Sequence, residues 1–235
     1  LFTDTGGGFN ALSADVAGRL GLPTETVEAD GQAMQLAPFP RFDDGHGLPP
    51  APRYFMDGRV AVVPPAAFHV GADGFLGGRW FADGIWDFDY PAGTLHRLEA
   101  FEPTPGMHGV DLGFQVRGDG QRTMHFPSMP MTVAGEELLV LLDTGATATL
   151  GEDAAAAFGL PAGTPVGTSF IEREVFERWA AANPGWRVLD RGDALRGQSF
   201  RMIEVPEVLI GGLAIGPVWF TERPPGAFQK YMASM

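Results

Sequence analysis

Length, composition and charge limit what this chain can be. Its 235 residues suffice for one large domain or for two small lobes with real cores. The net charge of −13 argues against a nucleic-acid partner, because polyanions select basic surfaces. The absence of cysteine excludes disulfides, thiolate nucleophiles and cysteine metal sites, and no apolar run is long enough for a membrane span.

The first half of the chain predicts short strands, tight turns and one short helix. Residues 13–20 are predicted to be helical, with Ser13 as the N-cap and Gly21 as the stop. Three further segments have the apolar or alternating patterns that are typical of strands: residues 59–63, 85–90 and 94–98.

The second half contains the longest predicted helix. Residues 149–158 predict a short helix, with Thr149 and Glu152 spaced as a capping box and Gly159 as the stop. Residues 171–182 have an apolar stripe at helical spacing, and we expect this helix to be inserted in a second lobe and to cover it. The remaining apolar runs predict strands in residues 205–215, around a Gly-Gly turn, and in residues 218–220.

The tripeptide Asp-Thr-Gly occurs twice, as Asp4-Thr5-Gly6 and as Asp143-Thr144-Gly145, and each copy ends an apolar run. Each copy is followed, at almost the same distance, by Gly-Leu-Pro at residues 21–23 and 159–161. A Pro-Pro element, later in each half, continues the same order with an insertion of about twenty residues in the second copy. The sequence therefore predicts a duplicated unit.

Two aspartates at equivalent places in a duplicated unit favour chemistry that needs paired carboxylates. When two such acids lie close together, one keeps a proton while the other stays ionised, which supplies a general acid and a general base. Asp4 and Asp143 are the candidate catalytic residues. Gly6 and Gly145 would let the chain bend sharply after each of them.

Asp-Thr-Gly after a hydrophobic run, twice in one chain, resembles the aspartic peptidases of the pepsin and retropepsin superfamily. The fit is closest to bacterial retropepsin-like proteins in which two lobes are fused. A second mark of that family lies in the first half, where Gly74-Phe75-Leu76-Gly77-Gly78 precedes a strand ending in Asp-Tyr. Phe75, Leu76 and Gly77 are similar to the element that threads behind the active-site loop in the family.

The resemblance implies a mostly β, bilobal, pseudo-twofold acid-protease-like β-barrel fold with a few short helices. The spacing of Pro and Gly in residues 101–109 predicts a linker between an N-terminal lobe of residues 1–100 and a C-terminal lobe of residues 110–235. The resemblance also implies hydrolysis of a peptide or protein substrate by a water activated between the two aspartates, with no metal or organic cofactor. Thr5 and Thr144 would hydrogen-bond across the lobes, or would serve only as turn-favouring hydroxyls.

The sequence departs from the family pattern at three places. Gly7 and Gly8 stand where many relatives carry a small hydroxyl residue beside the catalytic acid. Tyr54 is a candidate flap aromatic, with an ordinary strand tyrosine as the alternative. No second threading element follows the second Pro-Pro, so we expect the C-terminal lobe to be truncated. An N-terminal strand and an export signal are likewise expected to lie outside the sequence, with a periplasmic or secreted location.

These departures leave a second hypothesis open, a catalytically weak or inactive module that binds extended peptides by strand addition. Self-association through an exposed edge of the second lobe is a third. Metal chemistry is not predicted, because the five histidines show no ligand spacing.

Overall fold

The computed structural model describes residues 1–29, 32–41, 58–68, 71–82, 84–122 and 125–229. The protein is mostly β, with 44% strand and 16% helix, as the sequence predicts. It divides into two compact units, which are Leu1–Met107 with Val116–Phe126 and His108–Gln115 with Pro127–Met235. We call them unit one and unit two.

Unit one is built on a six-stranded sheet. Its strands are β1 (Phe2–Asp4), β2 (Ala11–Ser13), β3 (Glu25–Ala29), β4 (Gln32–Pro38), β5 (Arg59–Val63) and β6 (Gly74–Gly77). They lie in the order β1-β6-β2-β5-β4-β3, with β1 parallel to β6, β2 parallel to β5 and the other pairs antiparallel. A separate hairpin joins β7 (Ile85–Asp89) to β8 (Thr94–Leu98).

Two α-helices lie within the described part of unit one. Helix α1 (Ala14–Arg19) begins at Ser13, whose hydroxyl accepts the Val16 N–H at 3.2 Å, which confirms the predicted N-cap. Helix α2 (Gly78–Phe81) is a single turn after β6. Trp80 and Phe81 on this turn are buried and pack against the aromatic side chains of β7.

The described part of unit two contains ten strands in three sheets. The strands are β9 (Ser128–Val133), β10 (Glu136–Leu141), β11 (Thr147–Thr149), β12 (Pro165–Gly167), β13 (Ser169–Glu172), β14 (Val188–Leu195), β15 (Gln198–Val205), β16 (Val208–Ile210), β17 (Leu213–Ile215) and β18 (Val218–Arg223). The sheets have the orders β10-β9-β16-β17, β11-β12 and β13-β18-β15-β14.

Two helices complete the part of unit two that the structure describes, α3 (Glu152–Phe158) and α4 (Arg173–Ala182). Helix α4 buries one face, because Phe176 and Trp179 enter the core beside Ile203 and Phe220. The Trp179 and Phe220 rings meet edge to face, with centroids 5.2 Å apart. The predicted covering role of this helix is therefore confirmed.

The same strand order occurs in both units. In unit one, β2-β5-β4-β3 are paired parallel, antiparallel and antiparallel; in unit two, β13-β18-β15-β14 are paired in the same way. Each central strand, β5 or β18, runs directly into the Pro-Pro element. The two sheets therefore share one strand order and the same pairing directions, and each leads into a Pro-Pro element.

Strand pairing and the sequence repeat disagree about which helix of unit two corresponds to α1 of unit one. Gly-Leu-Pro aligns α3 with α1, but β13 and α4 hold the positions in unit two that β2 and α1 hold in unit one. The predicted capping box of α3 is wrong. Gly151 is its N-cap, and Thr149 lies in β11 and donates its N–H to Asp193 at 2.7 Å. Gly159, in the left-handed region at φ 68°, ends α3 as predicted.

None of the sheets in the described residues closes into a barrel, so the barrel part of the predicted fold is wrong. The physical reason is that the outer strands of each sheet, such as β1 and β3, do not pair with one another. In unit two, β10 and β17 are edge strands. None of the helices within the described ranges is long and apolar enough to cross a membrane.

A buried carboxylate in unit two is held by two arginines. Glu222 on β18 is 3% exposed and accepts hydrogen bonds from Arg173 at 2.6 Å and from Arg201 at 3.0 Å. Burial by itself raises the pKa of this carboxyl, but the hydrogen bonds from Arg201 and Arg173 outweigh it and lower the pKa to about 2.

This pKa shift predicts how stability depends on pH. Because the folded pKa lies below the ordinary value of 4.5, Glu222 stabilises the protein above that pH, and the contribution is lost as the pH falls toward 2. We expect this loss to be roughly 3 kcal/mol. The free energy of unfolding, measured with urea over that pH range, should fall less steeply with decreasing pH in Glu222→Gln than in the wild type. The exposed Glu177, which also contacts Arg201, provides a matched control. If Glu177→Gln flattens the decline as much, the assignment to Glu222 is wrong.

Candidate active site

The first Asp-Thr-Gly turn lies at the end of β1. Asp4 is the last residue of that strand and is half-buried, with its Oδ1 atom fully buried. The Gly7 N–H donates to the Asp4 carbonyl at 3.1 Å, which closes a four-residue turn. Thr5 and Gly6 within this turn are buried. The side chain of Asp4 is therefore presented by a compact loop rather than by an extended one.

Strand β6 runs behind this turn. It lies between β1 and β2, and Phe75, Leu76 and Gly77 are the register partners of Phe2, Thr3 and Asp4. The Gly77 N–H donates to the Asn10 Oδ1 at 2.9 Å, and Asn10 is 2% exposed. The three residues predicted to thread behind the loop thus lie directly beside the strand that carries Asp4.

Two glycines let β6 approach the turn closely. A Cβ on Gly77 would lie 2.6 Å from the Phe9 carbonyl oxygen and 2.8 Å from that of Gly7, and one on Gly78 would lie 2.7 Å from the Thr5 carbonyl oxygen. The Gly78 N–H donates to the Gly7 carbonyl at 2.8 Å. Backbone thus packs on backbone here, which holds the Asp-Thr-Gly turn from behind.

Gly77→Ala is expected to destabilise unit one by about 1–3 kcal/mol, because the added methyl meets backbone oxygens that cannot rotate away. Gly18→Ala is the matched control. Gly18 lies within α1 with nothing within 4 Å of the added Cβ, so alanine should stabilise the helix by about 0.5–1 kcal/mol. Thermal unfolding of both variants measures the difference. Equal effects would contradict the close approach of β6.

The second Asp-Thr-Gly turn has the same backbone closure. The Ala146 N–H donates to the Asp143 carbonyl at 3.5 Å, at the position equivalent to the Gly7 bond. The Asp143 carboxylate accepts the Gly145 N–H at 2.8 Å, and the Thr147 hydroxyl donates to the Gly145 carbonyl at 3.0 Å. Thr144 is half-buried. The turn therefore orients the Asp143 carboxylate through a main-chain donor.

Thr168 supports the second turn in the way that Gly78 supports the first. Its N–H donates to the Ala146 carbonyl at 3.0 Å, and its hydroxyl is 2.7 Å from the hydroxyl of the fully buried Thr221. Within the described residues, β10 pairs with β9 alone, and no counterpart of β6 lies along its other edge. The second turn is thus held by a loop residue, whereas the first is held by β6 and the first residue of α2.

Sequence reasoning missed Asn10 and Thr168. A signal for Asn10 was present, because it is a polar residue between Phe9 and Ala11-Leu12 in a short apolar run, and such a residue needs a buried partner. Thr168 had no comparable signal, since its partners lie at sequence-distant positions. The candidate flap residue Tyr54 lies outside the described residues.

No group of three or more potential metal ligands occurs among the described residues. A pocket of about 240 Å³ lies in unit two, and its lining includes Thr132, Trp186, Pro206 and Leu209. None of the predicted site residues lines it, so we do not assign the chemistry to this pocket.

Comparison with protein-family models, with curated proteins and with solved structures gave no match for this chain. The chemistry of the two turns therefore rests on their own geometry.

Proposed function

We propose that the chain is an aspartic endopeptidase in which Asp4 and Asp143 form the acid–base pair. One observation carries the proposal: the Asp-Thr-Gly turn is built twice, each time with a hydrogen bond from the third residue after the aspartate to the aspartate carbonyl. The duplicated strand order around the Pro-Pro elements supports it. A repeated loop that presents one carboxylate per copy suits a reaction that needs two.

The proposed mechanism uses one water held by both carboxylates. The ionised acid takes a proton from the water as its oxygen attacks the peptide carbonyl carbon, and the protonated acid donates to the carbonyl oxygen. The roles then exchange, so that the leaving amine is protonated and the C–N bond breaks. Thr5 and Thr144 would steady the two loops.

Hydrolysis of a denatured protein substrate, measured from acid to neutral pH with and without a pepstatin-type inhibitor, tests the proposal. Turnover that depends on acid and is blocked by the inhibitor supports it. Binding of extended peptides without any turnover would instead support a peptide-binding module.

The peptide-binding module is the second candidate function. Two observations favour it: residue 7 has no side chain beside Asp4, and β10 has an unpaired edge within the described residues. Strand addition at such an edge is a known mode of peptide recognition. Edge pairing between two copies would produce self-association instead, which sedimentation of the purified protein would reveal.

A further inference from the structure

We infer that Phe75 is a positioning residue for Asp4, and that residue 7 is glycine because the Phe75 ring occupies its side-chain space. The inference rests on the proposed function and deepens it. It assigns the space beside the first aspartate to an aromatic ring that arrives from β6.

Space, rather than backbone conformation, requires glycine at position 7. The φ angle of Gly7 lies outside the left-handed region, so an ordinary residue could adopt its backbone. A Cβ placed there would, however, overlap the Cε1 and Cζ atoms of Phe75, and it would lie 3.2 Å from the Asp4 Cγ. The edge of the ring therefore fills the volume beside the carboxyl that a side chain of residue 7 would otherwise fill.

The ring is itself held firmly. Phe75 stacks on Phe2, its register partner, with centroids 6.1 Å apart, and it meets Phe9 at 6.5 Å. It also packs against the buried core that includes Ala11 and Leu36. A rigid ring at this place limits how far the Asp4 loop can move and keeps apolar surface against it.

The second turn lacks this arrangement. Its equivalent of Gly7 is Ala146, which carries the methyl group that position 7 cannot hold. The carbonyl of Ala146 is held by Thr168, as described above. The two aspartates of the proposed dyad are thus positioned differently. The ring of Phe75 positions Asp4, and the loop residue Thr168 positions Asp143.

Gly7→Ala, Phe75→Leu and the double variant test the inference. Leucine lacks the two ring atoms that the new methyl would meet, so the double variant removes the overlap. We expect kcat to fall roughly 10- to 100-fold in Gly7→Ala with little change in KM, because the carboxyl is displaced. The double variant should recover at least about tenfold of that loss. Phe68→Leu is the matched control, since Phe68 packs on the same core but is not among the nearest neighbours of a Cβ at residue 7.

Hydrogen exchange gives a readout that does not need activity. The Gly7 amide, bonded to the Asp4 carbonyl, should exchange faster in Phe75→Leu, whereas the Ala61 amide, bonded to the Asn10 carbonyl, should not. Wild-type kcat and unchanged Gly7 exchange in Phe75→Leu would overturn the inference, as would full activity of Gly7→Ala. If the wild type hydrolyses nothing, the proposed function fails, and the catalytic positioning role fails with it. In that case two measurements still test whether Phe75 packs against Gly7. One is the exchange rate of the Gly7 amide, and the other is the coupling between the effects of Gly7→Ala and Phe75→Leu on the free energy of unfolding, obtained from the double variant.

Discussion

Asp4→Asn and Asp143→Asn are each expected to abolish hydrolysis of a denatured protein substrate, lowering kcat at least about 10²- to 10⁴-fold. An asparagine amide keeps the size of the carboxyl but can neither take a proton from water nor return one. Because both carboxylates act on the same water in the proposed mechanism, the double variant should be scarcely worse than either single variant. Single-turnover measurements on the three proteins provide the comparison.

The fold should survive these changes. Both aspartates are half-buried at turns whose closing bonds use main-chain carbonyls, and asparagine retains an Oδ1 acceptor for the Gly145 N–H. Far-UV circular dichroism and the unfolding midpoint should therefore stay near the wild-type values. Asp87→Asn, on the exposed side of β7, is the matched control and should keep full activity. Retained turnover in either Asp4→Asn or Asp143→Asn excludes the shared-water mechanism.

Signals confined to a few neighbouring residues predicted local structure well. Ser13 capped α1, Gly159 ended α3, and the strands at residues 59–63 and 94–98 formed with the predicted bounds. Such elements depend on side-chain capping, on left-handed glycine and on proline stops, all of which are readable in sequence. The pairing of distant strands is not readable in that way.

The errors arose where a distant partner decided the outcome. The sequence predicts that Thr149 caps α3. Its N–H instead donates to the Asp193 carboxylate, which is far away in sequence, and Thr149 lies in β11. Pairing with β18 likewise gives β13 and α4 the positions that the Gly-Leu-Pro repeat assigned to α3 and the segment before it. Barrel closure depends on which edge strands meet, and no local pattern encodes that.

In the candidate site, too, short motifs predicted some features, whereas others depend on residues that are distant in sequence. The two Asp-Thr-Gly turns and the Phe75-Leu76-Gly77 strand were named from short motifs, and the structure gives each a defined local geometry. The reason for glycine at position 7 was not readable, because it depends on the reach of a ring on another strand. The glycine was visible in sequence only as a departure from a family pattern.

Arg223→Met is expected to destabilise unit two by about 3–5 kcal/mol, the cost of leaving a buried carboxylate without its cation. Arg223 lies 2.8 Å from the Asp193 Oδ2, and Asp193 is 1% exposed. The guanidinium carbon lies over two aromatic rings, 4.0 Å from the Phe170 centroid and 5.0 Å from that of Phe200. Burial lowers the pKa of Arg223, and Asp193 opposes that shift, so the two charges depend on each other.

A partial rescue separates the ion pair from simple loss of packing. Arg223→Met combined with Asp193→Asn should recover much of the lost free energy, because the uncompensated charge is gone while an Oδ1 remains for the Thr149 N–H. Arg19→Met is the matched control. Arg19 pairs with Asp73, both side chains are about two-thirds exposed, and loss of this pair should change the free energy of unfolding by less than about 1 kcal/mol. Urea unfolding measures all three; a double variant no more stable than Arg223→Met would refute the charge argument. Asp193 also anchors β11, which begins two residues after Gly145. Arg223→Met should therefore loosen the loop that presents Asp143 and speed exchange of the Gly145 amide, whereas the double variant should restore slower exchange and Arg19→Met should leave it unchanged.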